Sequence, residues 1–174
     1  MLKFLRFILS KYLYCKRYMW VTKLRLTAKS TGKKIFVGGP STVNNKTVLG
    51  EHCSTNGLTV KGSGSVNIAE FVHTGCDLLI LSSNHNYKTA RKLPYDNSIE
   101  DKSVIIGRAV WIGDRVTILG GVTIGEGAIL QAGSVVVHDI PRLGIAGGNP
   151  AKVFKYRDEN NFDLLAKNNE FLYL

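Results

Sequence analysis

The chain has 174 residues, 44% of them hydrophobic and 21% charged, with 18 glycines against four prolines. That is enough apolar chain to bury a core without disulfide or metal staples, and the mix excludes a disordered or collagen-like protein. The net charge of +10 sits wholly in residues 1–34, which hold ten Lys or Arg and no Asp or Glu. A uniformly basic surface for a nucleic-acid backbone is thereby excluded as well.

The cationic segment, 1–34, is read as an arm ahead of the body. Leu2, Leu5, Leu9 and Leu13 recur at helical spacing over 1–17, with Met1, Phe4, Ile8 and Tyr12 beside them and Lys3, Arg6, Ser10 and Arg17 opposite. This predicts an amphipathic helix. Arg6, Lys11 and Lys16 interrupt any apolar signal-peptide core, and no uncharged apolar run approaches the roughly 18 residues of a membrane span. Three readings stay open for the helix. Its stripe packs on the body or a neighbouring subunit, or it makes peripheral contact with anionic lipid, or it meets nucleic acid, which no groove-reading motif supports.

In the body, Ile106, Ile112, Ile118, Ile124, Leu130 and Val136 are spaced by six. Four residues after each come Val110, Val116, Val122, Ala128, Ser134 and Ile140, and Gly107, Gly113 and Gly125 follow three of the aliphatic positions. Helical cores repeat at 3.6 and strands at 2, so neither explains a period of six. A short extended stretch plus a turn does. Three such units close a coil of roughly 18 residues that stacks on the next through parallel backbone hydrogen bonds. The glycines are read as permitting the tight corners.

The pattern predicts an all-β fold, a parallel β-helix over 35–157. A weaker copy, Val37, Val43 and Leu49, then Ile68, Thr74 and Ile80, carries an extra residue near Gly62–Gly64. Asn84 to Lys102 breaks the repeat and is read as an ejected, functional loop. A glycine-rich turn (Gly144, Gly147, Gly148) leads to the tail, 158–174, with a short helix over Asp158–Leu172. Cys15, Cys53 and Cys76 form no CxxC pair, so they are read as packing residues in a reducing, cytoplasmic setting, and His73 is read as a turn residue.

The stretch Val110-Trp111-Ile112-Gly113, with Gly121-Val122-Thr123-Ile124-Gly125, Ala132-Gly133-Ser134-Val135-Val136 and Gly147-Gly148-Asn149-Pro150-Ala151-Lys152-Val153, resembles a known family. It is similar to the hexapeptide-repeat, left-handed β-helix acyltransferases, above all the galactoside and maltose O-acetyltransferases and surface-polysaccharide acetyltransferases. The resemblance is dense over 104–157, looser over 35–103 and absent over 1–34. It implies acetyl-CoA as co-substrate, no metal, and a homotrimer with sites between neighbouring solenoids. The implied activity is O-acetylation of a sugar hydroxyl in capsule or lipopolysaccharide biosynthesis, in the cytoplasm or at the inner face of the membrane.

The same resemblance implies site residues. A histidine at the start of the ejected loop, here His85, is the general base. An alcohol is a poor nucleophile near pH 7, where imidazole titrates and can take its proton. Trp111, Gly113, Ala132 and Gly133 are implied along the pantetheine arm, and Lys152 and Lys155 at the CoA phosphates. Val137-His138-Asp139 departs from the family's Thr-Lys-Asp, which loses a hydroxyl and leaves His138 in the lysine's place. On the acceptor side the implied residues are Asn56, Ser63, Asn84 and Tyr87. Ser63 stands where the sugar enzymes carry an acid, so a carboxylate is missing and the acceptor departs from galactoside or maltose. Lys88, Arg91 and Lys92 suit an anionic acceptor such as a nucleotide-linked or lipid-linked sugar.

Other readings are N-acetylation of a nucleotide-linked amino sugar and a non-catalytic β-helix scaffold. A zinc β-helix would need three histidine ligands, and the spacing of His52, His73 and His85 is no clean multiple of a coil.

Overall fold

The computed structural model describes residues 2–173; Met1 and Leu174, the ends of the predicted arm and tail, lie outside the described residues. Helix α1 (Leu2–Thr27) continues well past the predicted 1–17. No glycine or proline interrupts it, and its Leu, Lys and Arg are good helix formers. Leu24 is its one buried residue, while Trp20, Val21 and Ala28 pack partly against the core. The stripe of Leu5, Leu9 and Leu13 is at least half exposed, so packing of that stripe on the chain's own body is corrected.

The chain then winds through β1 (Ser30–Thr31), β2 (Phe36–Gly39), β3 (Thr47–Leu49), β4 (Ser54–Lys61), β5 (Val66–Ile68) and β6 (His73–Leu81). A hairpin follows, β7 (Ser83–His85) with β8 (Ile99–Asp101). After β9 (Val104–Ile106) come two-residue rungs: β10 (Trp111–Ile112), β11 (Thr117–Ile118), β12 (Thr123–Ile124), β13 (Ile129–Leu130) and β14 (Val135–Val136). Strands β15 (Gly144–Gly148) and β16 (Ala151–Tyr156) close the body as an antiparallel pair, ahead of α2 (Glu159–Lys167).

The strands make three faces of a left-handed parallel β-helix. The first is β1-β3-β5-β9-β12. The second stacks β2, the first half of β4, the first half of β6, β10, β13 and β15. The third stacks the later halves of β4 and β6 with β11 and β14. Inward columns result, such as Leu49-Ile68-Ile106-Ile124 and Val43-Val60-Ile80-Ile118-Val136, every member buried. The small inward positions predicted four residues on are buried as well.

The corner glycines act otherwise than expected. None of Gly107, Gly113 and Gly125 has a positive φ. They are small because the next coil passes against them: a Cβ on Gly125 would lie 2.4 Å from the Arg142 nitrogen, and one on Gly113 2.5 Å from that of Ala132. The left-handed residue comes two positions later, at Ala109, Arg115 and Gly127.

Three further differences concern the irregular parts. The glycine-rich stretch is strand β15 rather than a turn, because its backbone pairs with both β13 and β16. The loop opens and closes as the β7–β8 hairpin. Helix α2 is shorter than predicted, since Asn168 caps its C-terminus, while Asp158 caps its N-terminus through the Asn161 N–H. The residues beyond fold back, and Phe171 and Tyr173 pack on Phe71. Arg142 ties α2 to the coils, reaching Glu126, Glu159 and Asp163.

Candidate functional site

The hairpin leaves the solenoid at the corner between the third and first faces. His85 ends β7, opposite Ile99, with its ring stacked on Tyr95 at 3.7 Å between centroids and 15° between planes. Its Nδ1 is buried without a hydrogen-bond partner. The loop tip is internally tied. Asp96 accepts hydrogen bonds from the Ser98 hydroxyl and the Arg91 and Ser98 N–H groups, which pull its carboxyl down to about 2. Asn86 and Thr89 bond each other twice. Such a loop holds the His85 ring in one place.

The predicted acceptor residues divide. Asn84 lines a groove of about 200 Å³ at the base of the hairpin, with Ser83, Lys102, Leu119, Gly120 and Val137. Ser63 lies beside the same hairpin, its hydroxyl donating to Asp101, which also meets Lys46 Nζ at 3.2 Å. A carboxylate therefore reaches the Ser63 position after all, from the far side of the loop. Sequence reasoning missed it because Asp101 is thirty-eight residues away, and only the closing of the ladder across the loop brings the two together. Tyr87 is exposed on the loop, 62% accessible. Asn56 is elsewhere, at the corner between the second and third faces, where its Nδ2 donates to the Thr74 carbonyl at 3.0 Å. That bond ties one coil to the next.

The predicted donor residues gather on other sides of the prism. Gly113, Ala132 and Gly133 occupy the corner between the second and third faces. Gly133, at φ +73°, has nothing within 4 Å of where a Cβ would sit, so this corner is open to an approaching ligand. Trp111 is exposed on the second face, laddered between His73 and Ile129. Lys152 and Lys155 are exposed on β16 and meet no carboxylate within 4.0 Å among the described residues. His138 is exposed at the hairpin's corner, next to the groove residue Val137. In one protomer the structure thus brings Asn84 and Val137 to one groove, with His138 next to Val137, Ser63 bonded to the closing strand and His85 one residue beyond Asn84, outside the groove's lining. It does not join His85 with Trp111, Ala132 or the lysines.

A second cleft, of about 420 Å³, lies away from the hairpin, between α2 with the tail and the second face. Phe71, Trp111, Phe162 and Phe171 wall it. His73 also lines it, which corrects its reading as a turn residue: it opens β6, its Nδ1 meets Ser54 Oγ at 2.7 Å, and burial lowers its pKa. Of the cysteines, only Cys53 packs in the core, its thiol pushed up to about 11 by burial, while Cys15 and Cys76 are exposed. No three His, Cys, Asp or Glu side chains among the described residues converge to hold a metal.

Residues 103–138 match the family described as bacterial transferase hexapeptide (six repeats), and the chain has a hexapeptide-repeat, left-handed β-helix fold. It is 33% identical, over 114 residues, to WbbJ of Escherichia coli K12, assigned as a lipopolysaccharide biosynthesis O-acetyl transferase, covering 53% of this chain and 58% of WbbJ. A hexapeptide-repeat acetyltransferase structure from Vibrio cholerae superposes with a TM-score of 0.69 at 25% identity, covering 80% of each chain. A galactoside acetyltransferase in complex with coenzyme A gives 0.65 at 26% identity, over 76% of this chain and 66% of that one. The chain spans 58% of WbbJ's length and 33% of a staphylococcal acetyltransferase that it also matches.

Proposed function

We propose that this protein transfers an acetyl group from acetyl-CoA to a sugar hydroxyl in surface-polysaccharide biosynthesis, in the cytoplasm, with His85 as general base. The observation that carries the reading is the placement of His85 where the solenoid is interrupted, its ring held by Tyr95 and its Nδ1 buried and unpartnered. An imidazole so held accepts the acceptor's proton as its oxygen attacks the thioester.

The residues present fit coenzyme A. The open corner at Gly133 admits the pantetheine arm, with Gly113 and Ala132 beside it, and Trp111 walls the adjoining face. Lys152 and Lys155 are exposed cations for the phosphates. Bound acetyl-CoA supplies the activated acetyl group. In the groove at the hairpin base, Asn84 and Ser63, the latter with Asp101, orient the sugar, Tyr87 lies on the rim, and His138, next to Val137, meets the donor of a neighbouring copy there. Because these two sets lie on different sides of one prism, the reading requires a second copy to bring them together, as in a homotrimer with a site at each junction.

The test is acetyl-CoA turnover against a panel of sugars, nucleotide sugars and lipid-linked sugars, wild type beside His85→Ala. The expected result is a loss of roughly 10²–10⁴-fold in kcat with coenzyme A binding retained. A much smaller loss, on an amino sugar, would point to N-acetylation. Absence of both turnover and coenzyme A binding would leave a scaffold. Light scattering should give three copies per particle.

A further inference from the structure

Helix α1 carries two opposed stripes. Arg17, Trp20, Leu24 and Ala28 follow one another at three- and four-residue steps on the side that meets the solenoid, with Arg17 over the Phe36 ring at 4.3 Å and Leu24 fully buried. On the opposite side, at the same steps, run Phe4, Ile8, Tyr12, Cys15 and Met19, with Leu26 two turns further. Phe4, Ile8, Tyr12, Met19 and Leu26 are 48–81% exposed, and Cys15 is exposed as well. A large apolar surface that its own fold leaves in water marks a contact with something else.

Charge decides what that is. Residues 1–34 hold ten cations and no acid. Copies of α1 packed on one another would bring these cations together with nothing to neutralise them. The apolar residues of 2–19 also spread well beyond a two-position seam: Leu5 and Leu9 flank the stripe on one side, Phe7 and Tyr18 on the other, and Leu2 and Leu13 reach round to the azimuth of Trp20, ahead of the part that meets the solenoid. No described helix is long and apolar enough to cross a membrane. Lys11 and Lys16 border the apolar stripe, and their ammonium groups already lie over the Phe7 and Tyr12 rings at 5.4 and 4.7 Å. Broad apolar and aromatic surface bordered by cations on long stems suits a helix lying in the plane of an anionic bilayer surface, rings among the acyl chains and ammonium groups at the phosphates.

We infer that α1 docks this protein on anionic membrane surfaces. The stripe that holds the solenoid faces away from the stripe that enters lipid, so the coils and the His85 hairpin stay on the water side, next to the headgroup layer. The inference is independent of acetyl transfer, and its test needs no substrate.

The experiment is co-sedimentation of the full chain with vesicles of phosphatidylcholine alone and of phosphatidylcholine with phosphatidylglycerol (about three to one by mole), at low and high salt. Wild type should pellet with the anionic vesicles at least tenfold more than with the neutral ones, and half-molar salt should weaken this severalfold. Phe4→Asp with Ile8→Asp should abolish pelleting, and Lys11→Glu with Lys16→Glu should reduce it, with unchanged far-ultraviolet circular dichroism. The inference is overturned if wild type ignores anionic vesicles. It is equally overturned if the aspartate variant pellets like wild type, or if that variant instead lowers the particle mass in light scattering while wild type leaves vesicles alone, which would make the stripe a contact between copies.

Discussion

The two ends of the solenoid obey one repeat with different strictness. From Val104 onward each rung meets the next eighteen residues later, as Trp111 meets Ile129 and Thr117 meets Val135, until the short last coil. Before Val104 the step wanders. Thr42 bridges Thr59, Thr47 pairs with Val66, and Leu58 pairs with Leu78, so coils gain a residue or two at the corners near Gly62–Gly64 and Gly75–Cys76. The strict half is lined by Ile and Leu. The loose half admits polar pairs inside, Thr74 hydrogen-bonded to Thr55 at 3.2 Å where the later coils place Ile112 and Leu130. The proposed acceptor groups lie where the repeat is loose and the implied donor groups where it is strict. A wandering step leaves corners of unequal shape for a variable partner, while an unvarying step offers a constant groove.

The sharpest way to break this contrast is in the columns. Ile118→Ala, at a fully buried position, should lower unfolding free energy by about 2–5 kcal/mol, whereas Thr74→Val should cost under about 1.5 kcal/mol. Denaturant titration reads both, and equal losses would erase the distinction. Next come the corners. Gly125→Ala drives a methyl into the Arg142 backbone and should cost about 1–3 kcal/mol, while Gly133→Ala meets open space and only its left-handed backbone resists, about 1 kcal/mol. For Gly133→Ala the proposed function adds a rise in the KM for acetyl-CoA, separable from stability in steady-state kinetics.

The smallest effect concerns pH. Asp96 has its carboxyl held down to about 2 by the Ser98 and Arg91 hydrogen bonds, against 3.8 ordinarily. A depressed folded pKa gives stabilisation that is complete above the unfolded value and is lost as pH falls through about 2. The loop tip should therefore keep its amide protection down to about pH 4 and lose it below. In Asp96→Asn that protection should be weaker at all pH values and flat across this range, as amide exchange would show.

Much of this molecule was legible before folding, because a solenoid writes its contacts into local sequence. The Ile106–Val136 column appears as a plain period, since each inward residue recurs at a fixed step. The position of His85 at the mouth of the loop was legible for the same reason: the loop is where the period stops. What escaped depended on closure across distance. The Ser63–Asp101 contact spans the whole excursion, the β7–β8 pairing has no period to announce it, and the length of α1 was hidden because residues 18–27 carry a docking stripe and an exposed one together. The glycine columns were seen but misassigned. Sequence shows that a residue is small, while only the stacked coils show whether φ or a neighbouring backbone requires it.

The rungs on either side of the excursion meet as though nothing intervened. Val66 pairs with Val104 and Ile68 with Ile106, and the Lys102 N–H donates to the Ser82 carbonyl at 2.8 Å to seal the gap. A segment anchored at both ends by a finished ladder behaves as a cassette. Its length and chemistry should be exchangeable with the ladder on either side kept in register, so a different insert grafted between Ser82 and Lys102 should leave the coils folded.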